Sequence, residues 1–266
     1  MSLCPPLRAV SLLEAMTEAG TAAWALWRPD LTTASKRDGT LVTQADLIAE
    51  RVLIAALREH FPADGVVTEE SGGERGAGAF WVVDPIDGTS SFVEGLGHWG
   101  PTLARFVPRA GSFEVDCGAL WLPRLHEHYH VETGGPTRGA WYNGVPLPAL
   151  GTVRARPTGL VPSRFHTHYR LRYGGKTRCV GGTAAHLALV ARGSAEFVIV
   201  AKGWSSWDTA AGLALIAVVG GVAQTLSTGE AIHPLLHEGE AFVAGSPETV
   251  EKLLTPGALA PLPEPT

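Results

Sequence analysis

Two aspartates three residues apart, Asp84 and Asp87, stand inside the stretch 80–92, which reads FWVVDPIDGTSSF. The apolar run from Phe80 to Val83 reads as a buried strand. Pro85 is expected to end it, because proline has no N–H to donate and biases its predecessor towards extended geometry. Gly88 would let the backbone approach whatever the carboxylates hold, and Thr89 adds a hydroxyl at the start of a short helix. Burying two like charges this near each other is costly unless cations pair with them. The chemistry that fits is a divalent-metal site with a phosphate-sized anion at a helix N-terminus.

Other residues could join or compete with that site. Asp208, in WDTAAG at 207–212, opens a helix that is otherwise apolar. From this motif alone helix capping is the better account, and metal binding gains only from the combination with Glu69-Glu70 and the Asp84–Thr89 stretch. Glu69 and Glu70 follow a short strand at 66–68. Asp46 lies three residues after Thr43, as in a capping box, where it is a weaker partner than Glu or Gln. The segment SGGERGAG at 71–78 is glycine-rich but lacks the lysine and the strand–helix setting of a phosphate loop, and reads as a mobile connector. His126, His128 and His130 alternate along one strand face. Zinc would need their side chains to converge, and a solvated face accounts for them. Ile86 to Thr89 superficially resembles the motif of the aspartyl-phosphate phosphatases. That motif needs carboxylates two apart, and position 85 is proline, so no covalent aspartyl intermediate is expected.

The elements that must position these residues fall into two groups. Helical spacing over 6–28 stops at Pro29, a polar loop at 30–40 holds Lys36 and Asp38, and a second helix runs from Thr43 to before Pro62. Alternation around 101–107, 113–120 and 125–131, followed by the turn signal Asn143-Gly144, predicts antiparallel strands. The proline-rich stretch 146–162 then divides an N-terminal α+β domain, 1–148, from a C-terminal α/β domain, 149–266. Beyond it come strand 177–180, helix 183–192, strand 195–200, helix 207–219, strand 222–226 and a last strand and helix in 241–254. The proline-rich final dozen residues read as a frayed tail. Glu70, Asp84 and Asp87 come from the first half and Asp208 from the second, so the site is expected at their junction.

Composition narrows the class. With 45% hydrophobic and 18% charged residues in 266, the chain is that of an ordinary globular protein. The net charge of −5 argues against a general nucleic-acid binder, and Glu70, Asp84, Asp87 and Asp208 would carry most of it. Three cysteines, odd in number and far apart, predict reduced thiols and a cytoplasmic location. No basic-then-apolar N-terminus reads as a signal peptide, and no apolar run of about 18 residues suggests a membrane span.

Taken in order, the motifs resemble those of the inositol monophosphatase family of magnesium-dependent, lithium-sensitive phosphatases. The positions are Lys36 and Asp38, LVTQAD (41–46), TEES (68–71), WVVDPIDGTSSF (81–92), GGTAA (181–185) and WDTAAG (207–212). The resemblance implies a layered αβαβα sandwich of α/β class, a homodimer, and two to three Mg²⁺ ions. Glu70, Asp84 and the Ile86 carbonyl would hold the first ion, and Asp84, Asp87 and Asp208 the second, with a weaker third near Glu70. Asp46 and Thr89, with Glu70, would be catalytic, the first two activating the attacking water. The N–H groups of Gly88 and Thr89 would receive phosphate, and Gly182, Thr183, Ala201 and Lys202 would face the substrate. Two ions about 4 Å apart suit phosphate-ester hydrolysis, and an all-oxygen ligand set suits Mg²⁺ rather than zinc.

Inositol-hydrolysing members carry a glutamate seven residues before the aspartate of the WD motif. Here that position is Ala201, followed by Lys202, with Arg164 a second source of positive charge. The substrate implied is a small phosphate monoester, inositol-1-phosphate by default. 3′-Phosphoadenosine 5′-phosphate, histidinol phosphate and sugar bisphosphates are alternatives, as is a non-catalytic metal- or phosphate-binding protein on the same fold.

Overall fold

The computed structural model describes residues 7–35, 41–151 and 157–262; Lys36 and Asp38 lie outside them. In the first half the elements are α1 (Leu7–Leu26), β1 (Ala34–Ser35), β2 (Leu41–Val42), α2 (Gln44–His60), β3 (Gly65–Thr68), β4 (Gly72–Glu74), β5 (Phe80–Asp87), α3 (Thr89–Val93), β6 (Gly100–Arg109), β7 (Ser112–Leu122), β8 (Glu127–Glu132), β9 (Gly139–Tyr142) and β10 (Val145–Pro146). The second half holds β11 (Thr158–Leu160), α4 (Phe165–His168), β12 (Tyr169–Leu171), β13 (Lys176–Arg178), α5 (Thr183–Ala191), β14 (Phe197–Val200), α6 (Ser206–Val218), β15 (Val222–Thr225), β16 (Phe242–Gly245), α7 (Pro247–Leu254) and β17 (Leu259–Pro261).

Two mixed sheets carry the layers. The larger has the order β10-β9-β8-β7-β6-β5-β3-β4 and the smaller β13-β11-β14-β16-β15. Strand periodicity sorts the core. On β5, Trp81 and Val83 face α1 and α2 with Met16, Ala49 and Leu53, while Phe80 and Val82 meet Ala210 and Ala211 of α6. Helices α5 and α6 lie between the sheets, where Leu120 and Leu122 of the first share a cluster with Val198, Val200 and Phe242 of the second. α7 covers the outer face of the smaller sheet, Val250 and Leu253 packing on Phe197, Ile199 and Val243. The architecture is the expected αβαβα sandwich. Small residues in WDTAAG permit the central packing, since a Cβ at Gly212 would lie 2.5 Å from the Leu187 Cβ.

Three local expectations need correction. Pro85 does not end β5, which runs on to Asp87. The pairing with β6 shifts register between Asp84 and Asp87, and the bulge takes up a residue that cannot donate. The glycine-rich connector is in part a strand, β4, turned back antiparallel on β3. The tail is not all frayed: β17 pairs with β12. The hairpin at Asn143-Gly144 forms as read, with both residues at positive φ, 47° and 76°.

Candidate active site

β5 delivers Asp84 and Asp87 fully buried, and the Ile86 N–H donates to Asp84 Oδ1 at 2.8 Å. Gly88 follows at φ 86°, turning the chain into α3. Asp208 reaches the same place from α6. It closes a capping box, the Ser205 N–H donating to its Oδ2 at 2.6 Å. Carboxylate oxygens of Asp84, Asp87 and Asp208 lie within 4.8 Å of one another. Capping and clustering thus coexist at Asp208, because a carboxylate has lone pairs enough for both.

Asp87 also ties the two halves of the chain together. Its Oδ1 accepts the Thr183 N–H at 2.9 Å, and its Oδ2 accepts those of Ala184 at 2.9 Å and Ala185 at 3.4 Å, so it caps α5. The close approach depends on Gly182, where a Cβ would sit 2.0 Å from Asp87 Oδ2.

Asp46 is wholly buried on α2. Its Oδ2 accepts both the N–H and the hydroxyl of Thr43, at 2.8 and 2.7 Å, which is the predicted capping box. Its Oδ1 faces the Thr89 hydroxyl at 3.3 Å, and that hydroxyl also lies 3.2 Å from the Ile86 carbonyl.

Of the two adjacent glutamates, Glu69 and not Glu70 lines the cleft. The Glu69 N–H extends the β3–β5 pairing by donating to the Val83 carbonyl at 3.0 Å, which sets its side chain beside Asp84. Glu70 opens the turn instead, its N–H donating to Glu50 Oε2 at 3.0 Å, while the Ser71 hydroxyl donates to Glu50 Oε1. Glu50 escaped the sequence reading. Its signal was an acidic side chain four residues after Asp46, on the helix face otherwise formed by Ala45, Ala49 and Leu53.

The cleft has a volume of about 570 Å³. Asp84, Ile86, Asp87, Gly88, Thr89, Gly182, Thr183, Ala201, Lys202 and Asp208 all line it; Asp46 stands behind Thr89, and Arg164 is not in the wall. His186 also lines it and was not singled out from sequence, though it is the one polar side chain after Thr183 in α5. Its Nε2 accepts the Val180 N–H at 3.1 Å, and burial pushes its pKa down to about 4. Of the expected histidine row, only His128 and His130 share a strand face, each stacked on a tryptophan. His126 sits before β8 at φ 53°, so the three do not converge.

The electrostatics call for cations. Burial, then the negative charges of Glu69, Asp208 and Asp87, hold Asp84 well above the usual carboxylate range. Asp87 is raised likewise by burial and Asp208, in part offset by the α5 N–H groups. Lys202 is the sole lysine or arginine among the described residues in the cleft wall, and it is solvent-exposed. Oxygen donors alone, buried and mutually repelling, fit a hard divalent ion such as Mg²⁺.

The chain is similar to known proteins over most of its length. The family model described as the inositol monophosphatase family matches residues 8–259. The chain is 35% identical over 205 residues to a histidinol-phosphatase of Chlorobaculum parvum, covering 73% of this chain and 76% of that one. It is 32% identical over 235 residues to the inositol-1-monophosphatase ImpA of Mycolicibacterium smegmatis, covering 82% and 80%. In three dimensions it is similar to the IMPase of Thermotoga maritima, with a TM-score of 0.77 and 24% identity over 93% of this chain and 95% of that one.

Proposed function

This chain belongs to the inositol monophosphatase family, and from that premise we propose that it hydrolyses small phosphate monoesters with two or three Mg²⁺ ions held by Glu69, Asp84, Asp87, Asp208 and the Ile86 carbonyl. One observation carries the reading: three carboxylates within 4.8 Å of one another, two of them fully buried, in a cleft wall with no buried lysine or arginine among the described residues. Glu69 takes the part that the family resemblance implied for Glu70. Asp87 already accepts three N–H groups, so it has room for an ion through about one remaining lone pair.

Bound Mg²⁺ would make a coordinated water acidic enough to attack near neutral pH and would offset charge on the leaving oxygen. The protein's part is to take and direct the proton. Thr43 occupies Asp46 Oδ2, leaving Oδ1 to receive a proton passed through the Thr89 hydroxyl. Burial raises the pKa of Asp46 and so makes it the stronger base. The Gly88 and Thr89 N–H groups receive the phosphate oxygens. Gly88 also lets its turn pack against Gly182, since a Cβ there would meet the Gly182 nitrogen at 2.9 Å.

The alcohol portion of the substrate lies against Ala201, Lys202 and Trp204. Inositol-1-phosphate is the default, but Ala201 offers no acceptor for a ring hydroxyl, and Lys202 favours a second anionic group. A second reading is histidinol phosphate. Glu94, in the same wall, gives its amine a carboxylate. Assembly as a homodimer belongs to the proposal too, and sedimentation checks it.

The test is kcat/KM with Mg²⁺ and with EDTA for inositol-1-phosphate, histidinol phosphate, 3′-phosphoadenosine 5′-phosphate and fructose-1,6-bisphosphate. EDTA should abolish turnover, and the doubly phosphorylated substrates should at least match inositol-1-phosphate. Ala201→Glu should move preference towards inositol-1-phosphate. Selective loss of histidinol phosphate turnover in Glu94→Gln would favour the second reading. A wild-type preference for inositol-1-phosphate above about a hundredfold, roughly 2.7 kcal/mol, would mean that another residue replaces the missing acid. No turnover of any substrate with Mg²⁺ would leave only a binding protein.

A further inference from the structure

Between Glu132 and Glu196 the sequence contains no aspartate or glutamate and nine lysines or arginines. A net charge of −5 for the whole chain therefore averages over strongly segregated charge. Arg164, Arg170, Arg172, Lys176 and Arg178 are all exposed, and so are His166 and His168. Among the described residues no carboxylate pairs with any of these cations; the ion pairs belong to Arg75, Arg105, Arg192 and Lys252.

Aromatic rings stand among the charges. A groove of about 390 Å³ is lined by Phe165, His166, Tyr169, Arg170, Tyr173 and Thr177, among others. Phe165 and Tyr169 stack at 5.6 Å, and both are half-buried, as is Tyr173. The Tyr173 hydroxyl is anchored on Glu196 at 2.7 Å, which fixes its ring. Arg170 lies on β12 and Arg172 just beyond its end, where the Arg172 N–H continues the pairing by donating to the Ala258 carbonyl at 2.7 Å. The two, two residues apart, therefore share one side. Charges along β13 can be explained as protection of an open sheet edge. That explanation covers Lys176 and Arg178. It does not cover a groove of aromatic rings beside them.

Cations that track phosphates, interleaved with half-exposed rings on which bases stack, are the recognition chemistry of unpaired nucleic acid. An acidic protein would use the charges and leave the rings unused, and a duplex keeps its base faces hidden. We propose that the face formed by α4, β12 and β13 binds single-stranded nucleic acid. Phe165, His166, Tyr169, Arg170, Tyr173 and Thr177 are all absent from the catalytic cleft wall. The inference therefore stands or falls independently of the phosphatase reading.

The experiment is fluorescence anisotropy of the whole protein with a labelled oligouridylate of about 12 nucleotides. A duplex of equal length and inorganic polyphosphate serve as comparison probes. Saturable binding is expected at about 50 mM salt, weakening roughly tenfold by about 200 mM as counterions are released. Arg170→Glu with Arg172→Glu should weaken it at least about tenfold; both side chains are exposed, so circular dichroism should be unchanged. Tyr169→Ala should weaken the oligonucleotide about tenfold and leave polyphosphate unaffected. Phosphatase turnover of a small substrate should be the same in all variants. The proposal is overturned by absence of binding at low salt, by equal or tighter binding of the duplex, or by a Tyr169→Ala variant that binds as wild type does.

Discussion

Asp46 divides its work between its two oxygens, one fixed by Thr43 and the other facing Thr89. If the pair moves one proton, Thr89→Ala and Asp46→Asn should each lower kcat by about 10²-fold or more with KM little changed. The double variant should be scarcely worse than either single one; additive losses in a single-turnover assay would show that the residues do not act as a unit. Glu50 acts one step further away, by holding the turn that presents Glu69. Glu50→Gln should raise the Mg²⁺ concentration needed for half-maximal activity several-fold, with a smaller change in kcat at saturating Mg²⁺. An unchanged Mg²⁺ requirement would show that the turn holds Glu69 without it. At this scale Asp84, Asp87, Asp208 and Thr89 were legible because each stood in a distinctive motif. The choice between Glu69 and Glu70 was not, since adjacent identical residues differ only in which N–H the neighbouring strand takes up. Glu50 was hidden because its partners lie across the fold.

Among the elements, β8 carries a polar group that the site does not use. His130 is buried and stacked on Trp141 at 4.5 Å, and neither ring nitrogen has a hydrogen-bond partner among the described residues. Burial, with His128 adding to it, pushes its pKa down to about 4. A neutral folded histidine against an unfolded value near 6.5 means that the unfolded chain binds more protons between those limits. Stability is therefore lost as pH falls from about 6.5 to 4, by up to about 1.4 kcal/mol per pH unit for each such group. His130→Phe keeps the stack and should flatten part of that slope in urea unfolding measured from pH 7 to pH 5. An identical slope would show that His130 is protonated without penalty. Element types and order followed well from periodicity, and the Asn143-Gly144 hairpin from its turn chemistry. Pro85 misled because a bulge removes the hydrogen bond that proline lacks. The strands β4 and β17 are fixed by partners distant in sequence or by backbone pairing alone, and neither leaves a side-chain pattern to read.

For the whole molecule, the site is where the two halves are joined. Asp87 from the first half caps α5 in the second, and Asp208 brings α6 to the same cluster. Repulsion among these buried carboxylates opposes folding in the absence of cations. Mg²⁺ at about 100 times its dissociation constant should then stabilise the protein by about 2.7 kcal/mol, raising Tm by several degrees. Ca²⁺-free, EDTA-treated protein compared with and without Mg²⁺ shows this directly, and a Tm indifferent to Mg²⁺ would contradict it. The layered order was legible from the succession of elements and from the family resemblance. The segregation of positive charge onto one face was not, because net charge averages it away. Asp84 is the centre of the carboxylate cluster, with the charges of Glu69, Asp208 and Asp87 all acting on it. The most direct test of its role is phosphate release as a function of Mg²⁺ by wild type and Asp84→Asn, with circular dichroism of both. Wild-type activity should rise from none to saturation. The variant should keep its fold and lose at least about a hundredfold in kcat/KM at every Mg²⁺ concentration, the scale of the charge stabilisation that bound ions supply. A folded Asp84→Asn with near-wild-type, Mg²⁺-dependent activity would place the chemistry elsewhere.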